Sequence, residues 1–191
     1  MINAIIIFII IIVIFYIGQQ NNEVVYINST LPDKDNEFTY LVRNLNDKQE
    51  AANLLATANY NGLKLINHLK TKYPSNDGYD RLKRNYNPNT LSESSVDSQY
   101  TSYTINKGEQ MYLCLRNTDN KLIDKNTLMY VYIHELAHIA TLQIGHIDEF
   151  WLNFKFMLKE AVEIGLYKII DYSKKNIPYC GIMITNNVLL D

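Results

Sequence analysis

Three of the chain's 4 histidines, His134, His138 and His146, fall within one short stretch, and the first two frame Glu135 in the string His134-Glu135-Leu136-Ala137-His138. Random placement of the histidines and glutamates in 191 residues yields such an H-E-x-x-H string roughly 0.004 times. On a helix, side chains four apart point the same way, about 40° apart in rotation and one turn apart in height. Two neutral imidazoles so placed can grip one zinc ion, with the intervening glutamate close enough to take a proton from zinc-bound water. With His146 as a third ligand, one metal position stays open for water, the mark of a catalytic zinc site. Zinc lowers the pKa of that water toward ~7 and polarises a carbonyl. Glu135 then serves as general base and afterwards as general acid to the departing amine. The expectation is a zinc metallopeptidase acting on a protein or peptide, with Zn2+ as its cofactor. Glu160 and Glu163, further on, stand as alternatives to His146 for the third ligand.

These residues need a helix, and the sequence supplies one. Asp124 or Asn126 is suited to cap a helix from about Thr127 to Leu142. Apart from His134, Glu135 and His138, Leu128 to Leu142 carries no acidic or basic side chain, so this helix is expected to be buried nearly all round. A buried His-Glu-His set without a partner carries a desolvation cost that a metal relieves. Gly145 then breaks the helix. Asp148 is suited to cap the next, whose apolar stripe runs through Phe150, Phe154, Met157, Leu158, Ala161 and Ile164. His146 thus lies in the elbow between two helices.

Upstream, Asp47 to Tyr73 has helical spacing and Pro74 ends it. His68 within it is expected as an ordinary surface or core histidine. Pro74 to Gln99 reads as loop. Tyr100 to Asn106 and Gln110 to Arg116 alternate and pair as a hairpin across Lys107-Gly108. The second of these strands is expected to align an extended substrate by backbone pairing. Pro178 to Thr185 reads as a terminal strand or an extended tail.

Composition excludes some functions. The net charge is −2, with 47% hydrophobic and 20% charged residues, a globular balance with no general nucleic-acid-binding surface. The local basic stretch of Lys64, Lys70, Lys72, Arg81, Lys83 and Arg84 reads as a solvated helix face. Cys114 and Cys180 match no metal spacing; two separate buried thiols and a single disulfide both fit. Ala4 to Ile17 is an unbroken apolar run with no basic residue ahead of it and no small-x-small cleavage site behind it. It is expected to be an uncleaved single-pass N-terminal membrane anchor, although Ile2 to Ile17 spans only about 24 Å as a helix. The organisation expected is an anchor over 1–20, a linker over 21–46 in which Val24 to Ile27 can form a short strand, and a catalytic domain over 47–191.

The string HELAH, then Gly145-His146, then Glu149-Phe150-Trp151 resembles the WLM and SprT-like zincin metallopeptidases. From Thr101-Ser102-Tyr103 through Asn106-Lys107-Gly108, Cys114-Leu115-Arg116 and FWLNFKFMLKEA to Tyr179-Cys180-Gly181, the chain is similar to WLM-like sequences encoded by large DNA viruses. The resemblance covers roughly the last hundred residues. It implies an α+β fold: a minimal zincin-like domain with an active-site helix, packed helices and a small, mostly antiparallel sheet, here behind an N-terminal transmembrane helix. It also implies a Gly-His third ligand at His146. Cellular members act on proteins crosslinked to DNA, but this chain lacks their basic tail and extra zinc module. Two other readings therefore stand beside the peptidase: a membrane-anchored zinc-binding interaction protein without turnover, and a DNA-dependent protease.

Overall fold

The computed structural model describes residues 8–12, 23–31 and 38–190. Alternation in β2 (Thr39–Arg43) sends Tyr40 and Val42 into the core and leaves the residues between them nearer solvent. β2 pairs antiparallel with β1 (Val24–Asn28), so the stretch read as a linker supplies two strands of the sheet. α1 (Lys48–Lys72) then crosses the sheet, burying Ala51, Leu54, Leu55, Ala58, Leu65, Ile66 and Leu69 on one stripe. Gly62 lies on that stripe, where a Cβ would overlap the ring of Tyr132.

The region read as loop contains α2 (Asp77–Asn85), capped by the Asn76 side chain, and β3 (Leu91–Glu93). Both are too short for a periodic signal to stand out beside the prolines and serines that surround them. β4 (Tyr103–Ile105) and β5 (Gln110–Leu113) form the expected hairpin, pairing Tyr103 with Tyr112 and Ile105 with Gln110. The five strands lie in the order β1-β2-β3-β5-β4, with β3 parallel to both β2 and β5. β5 is therefore hydrogen-bonded on both sides and cannot accept a substrate strand; among the described residues β4 is the edge strand at this end of the sheet and β1 at the other.

α3 (Lys125–Ala140) is capped by Asp124, whose carboxylate accepts from the N–H groups of Asn126 (3.0 Å) and Thr127 (2.9 Å). It buries residues on nearly every side, against α1, α2 and the sheet. A polar chain ties these elements together inside the core: Tyr132 donates to the Tyr86 hydroxyl, Tyr86 to Asn59 Oδ1, and Asn59 to the Tyr40 hydroxyl and the Pro88 carbonyl. α4 (Asp148–Glu163) packs along α3 through Phe150, Phe154, Met157 and Leu158. Asp148 is its first helical residue rather than its cap, and Ile147 before it makes no side-chain cap bond. The C-terminal stretch is a hairpin, β6 (Ile177–Tyr179) and β7 (Ile182–Ile184), turning on Cys180 and Gly181 with φ of 50° and 84°. A Cys114–Cys180 disulfide staples that turn to the segment after β5.

The architecture is α+β, but the expected transmembrane helix is corrected. Among the described residues no helix is long and apolar enough to cross a membrane. Of the apolar run only residues 8–12 are described, and they are helical. The rest of the run lies outside the described residues. The single-pass membrane localisation that rested on this helix is corrected with it.

Candidate metal centre

α3 presents His134 and His138 one turn apart, and the loop 141–147 returns His146 to the same side. The three imidazole centroids stand 4.9 Å from one another in each pairing. One ring nitrogen from each imidazole lies within 4.8 Å of the others, and His134 Nε2 is 3.0 Å from His146 Nε2. Two ring nitrogens at that distance need a proton or a cation between them. Imidazoles about 2.0–2.1 Å from one tetrahedral zinc place their nitrogens about 3.3 Å apart, so the trio fits such an ion with small rotations of the rings.

Phe150 at the start of α4 is the wall of this site. It stacks on His138 with centroids 4.3 Å apart and meets His134 and His146 edge-on at 4.8 and 4.7 Å. Trp151 stacks on His146 at 5.5 Å. These rings fix the imidazole planes and exclude water from one side. His134 and His138 are half-buried and His146 is exposed, so the centre is open where a wholly buried set was expected.

Electrostatics suit cation binding. Burial, followed by the neighbouring imidazoles of His138 and His146, pushes His134 down to about 3. Burial, then His146 and the Lys107 ammonium, pushes His138 down to about 4. Both rings are therefore neutral at neutral pH, the state a metal requires. Glu135, only 4% exposed, is driven up to about 7 by burial, against the opposing hydrogen bond from Thr104 Oγ1 to its Oε2 at 3.0 Å. A carboxyl poised near neutrality can both take and give a proton.

Glu160 and Glu163 are not brought to this centre. Glu160 accepts from Tyr73 (2.9 Å) and Lys72 (3.0 Å) and lies 2.7 Å from His68 Nε2, while Glu163 takes Lys72 at 2.8 Å. The Lys72 ammonium occupies the place between these carboxylates that a cation would need. Burial opposes ionisation of Glu160, yet bonds from His68, Lys72 and Tyr73 outweigh it and hold its carboxyl below the usual range.

Sequence reasoning missed Thr104 and Arg81. Thr104 faces Glu135 because β4 runs beside α3, a long-range contact with no local signature. Arg81, read as part of a solvated face, instead donates to the Ala140 carbonyl at 3.0 and 2.8 Å and to Glu149 at 2.9 Å.

The chain is 33% identical over 191 residues to the uncharacterized protein R325 of Acanthamoeba polyphaga mimivirus, a match covering 97% of this chain and 95% of that protein. It is 36% identical over 84 residues to the uncharacterized protein 136R of Invertebrate iridescent virus 6, which covers 42% of this chain and 47% of the relative. The uncharacterized protein 042R of Invertebrate iridescent virus 3 is 39% identical over 80 residues, 41% of this chain and 50% of that protein. No protein-family profile matches the chain, and no solved structure does.

Proposed function

The chain belongs to the family of mimivirus protein R325, with relatives among large DNA viruses, and we propose that it is a zinc metallopeptidase. The observation that carries this reading is the convergence of three imidazoles beside a buried glutamate, His134, His138 and His146 around one point with Glu135 next to it. A cation-binding site without turnover has no use for a buried carboxyl beside its ligands. The resemblance of the helix and elbow to the WLM and SprT-like zincins supports the same assignment.

Zinc, when bound, supplies Lewis acidity that acidifies a water ligand and polarises a substrate carbonyl. The chain's own residues do the rest. The three histidines hold the ion while leaving the solvent side open. Glu135 takes the proton of the attacking water and returns it to the departing amine, and Thr104 orients its carboxyl. The outer edge of β4, unpaired in the five-stranded order, can align an extended polypeptide by backbone hydrogen bonds beside Glu135.

The test pairs metal analysis with cleavage of a denatured protein by wild type and Glu135→Gln. Equal zinc in both, with cleavage by wild type alone and its loss on chelation, is the expected result. Equal zinc with no cleavage by either identifies a zinc-binding interaction protein instead, and wild type that takes up no zinc removes the metal centre altogether.

A further inference from the structure

Resting on that metal centre, we propose that Lys107 is a positioning residue that pins the third ligand by clamping the end of α3. Lys107 lies in the β4–β5 turn with φ of 59°, between Asn106 at 46° and Gly108 at 111°, a sharply left-handed turn that throws its side chain back across the helix end. Its ammonium donates to the carbonyls of His138 (3.0 Å), Thr141 (2.8 Å) and Gln143 (2.6 Å). A lysine has three N–H donors, and three are used. None is left over for a substrate, so the group acts through the backbone it holds.

The location of these acceptors matters more than their number. Helix ends leave carbonyls without partners and carry partial negative charge, and a cation there is stabilising. Here one ammonium joins the carbonyl of a ligand residue, His138, to two carbonyls of the loop that delivers His146. That loop is solvent-exposed: Leu142, Gln143, Ile144 and His146 all lie open, with Ile144 90% exposed. Burial therefore does not fix His146: the Phe150 and Trp151 rings orient its imidazole, and the anchor on Gln143, three residues before it, holds the backbone that carries it. Arg81 completes the clamp on the intervening Ala140 carbonyl and reaches Glu149 at the start of α4. The two cations hold both ends of the elbow while Gly145 makes the bend.

The test is zinc affinity, read by competition with a chromophoric chelator, in the full chain and in Lys107→Met, which keeps the aliphatic stem and removes the charge. Partners that orient metal ligands typically change affinity about 10–100-fold, and a loss of about tenfold or more is expected. Cobalt(II) loaded into the variant should also lose the intense tetrahedral absorption of the wild type, a signature that a purely structural role would leave intact. A second measurement needs no variant. Zinc binding and the closed clamp favour one another, so zinc lowers the population of free Lys107 amine and thereby slows its reductive methylation in the wild type. A folded Lys107→Met that binds zinc within twofold of wild type overturns the proposal. So does a methylation rate indifferent to zinc, which decides the matter if the variant does not fold. A wild type that binds no zinc overturns the metal centre itself, a different outcome from either.

Discussion

Replacing Gly145 with alanine tests whether the elbow's backbone is what delivers His146. Gly145 has φ of +98°, and a Cβ built there meets nothing within 4 Å. The substitution therefore adds no clash, and its whole cost is conformational. An L-residue in left-handed backbone costs about 1–2 kcal/mol relative to glycine. In the metal-free protein the exposed loop can relax and shed that strain. With zinc bound, His146 must return to within reach of His134 and the strain must be borne. The expected consequence is a zinc dissociation constant raised about 5- to 30-fold, since 1.4 kcal/mol is a factor of ten. Competition against a chelator measures it, and thermal unfolding of the metal-free protein should change little. Gly145→Asn should recover part of the loss, because asparagine tolerates left-handed backbone better than alanine. Gly145→Ala with affinity within twofold of wild type, and metal-free stability also unchanged, would show that the bend is not what sets the ligand.

Thr104→Val removes the hydroxyl that bonds Glu135 while preserving shape; turnover should fall about 10- to 150-fold with zinc content unchanged, because a hydrogen bond to a charged group is worth about 1.5–3 kcal/mol. Glu93→Ala takes from the buried Arg116 the carboxylate whose Oε1 sits 2.8 Å from its Nε and leaves it Asp47 as its remaining carboxylate, and should cost about 3 kcal/mol in urea unfolding without altering zinc affinity; a loss under about 1 kcal/mol would refute it. Asp47 is held below the usual carboxylate range, chiefly by its hydrogen bond from Arg116. Its depressed folded-state pKa means that its stabilisation is present above the unfolded value of about 3.9 and is lost as pH falls through the folded one. The stability gap between wild type and Asp47→Asn should therefore be open at pH 6 and close below about pH 4, and a gap that persists into acid would contradict the linkage.

What the sequence alone determined is the chemistry that is local in the chain. H-E-x-x-H needs only helical periodicity to place His134, Glu135 and His138, and Gly145 followed by His146 needs only a turn. The long helix of residues 48–72 and the β4–β5 hairpin were likewise legible, because their apolar spacing and turn residues repeat over enough positions to stand out. Tertiary structure decided everything that joins distant parts. That His146, and neither Glu160 nor Glu163, stands beside His134 and His138 follows from the elbow after the helix and from Lys72, a residue on another helix that holds both carboxylates. The identity of the free strand edge turned on β3, three residues without a periodic signal, which slots beside β5 and leaves β4 outermost. Thr104, Arg81 and Lys107 reach the site from 31 to 68 residues before the groups they meet, Thr104 with Glu135 at the short end and Arg81 with Glu149 at the long end. The expected membrane helix marks the opposite limit: an apolar run in the sequence does not itself report the helix it forms, and among the described residues no helix is long and apolar enough to cross a membrane. Periodicity can report which way a side chain points along its own element, but contacts between elements depend on how the core packs, and no single stretch of sequence encodes that.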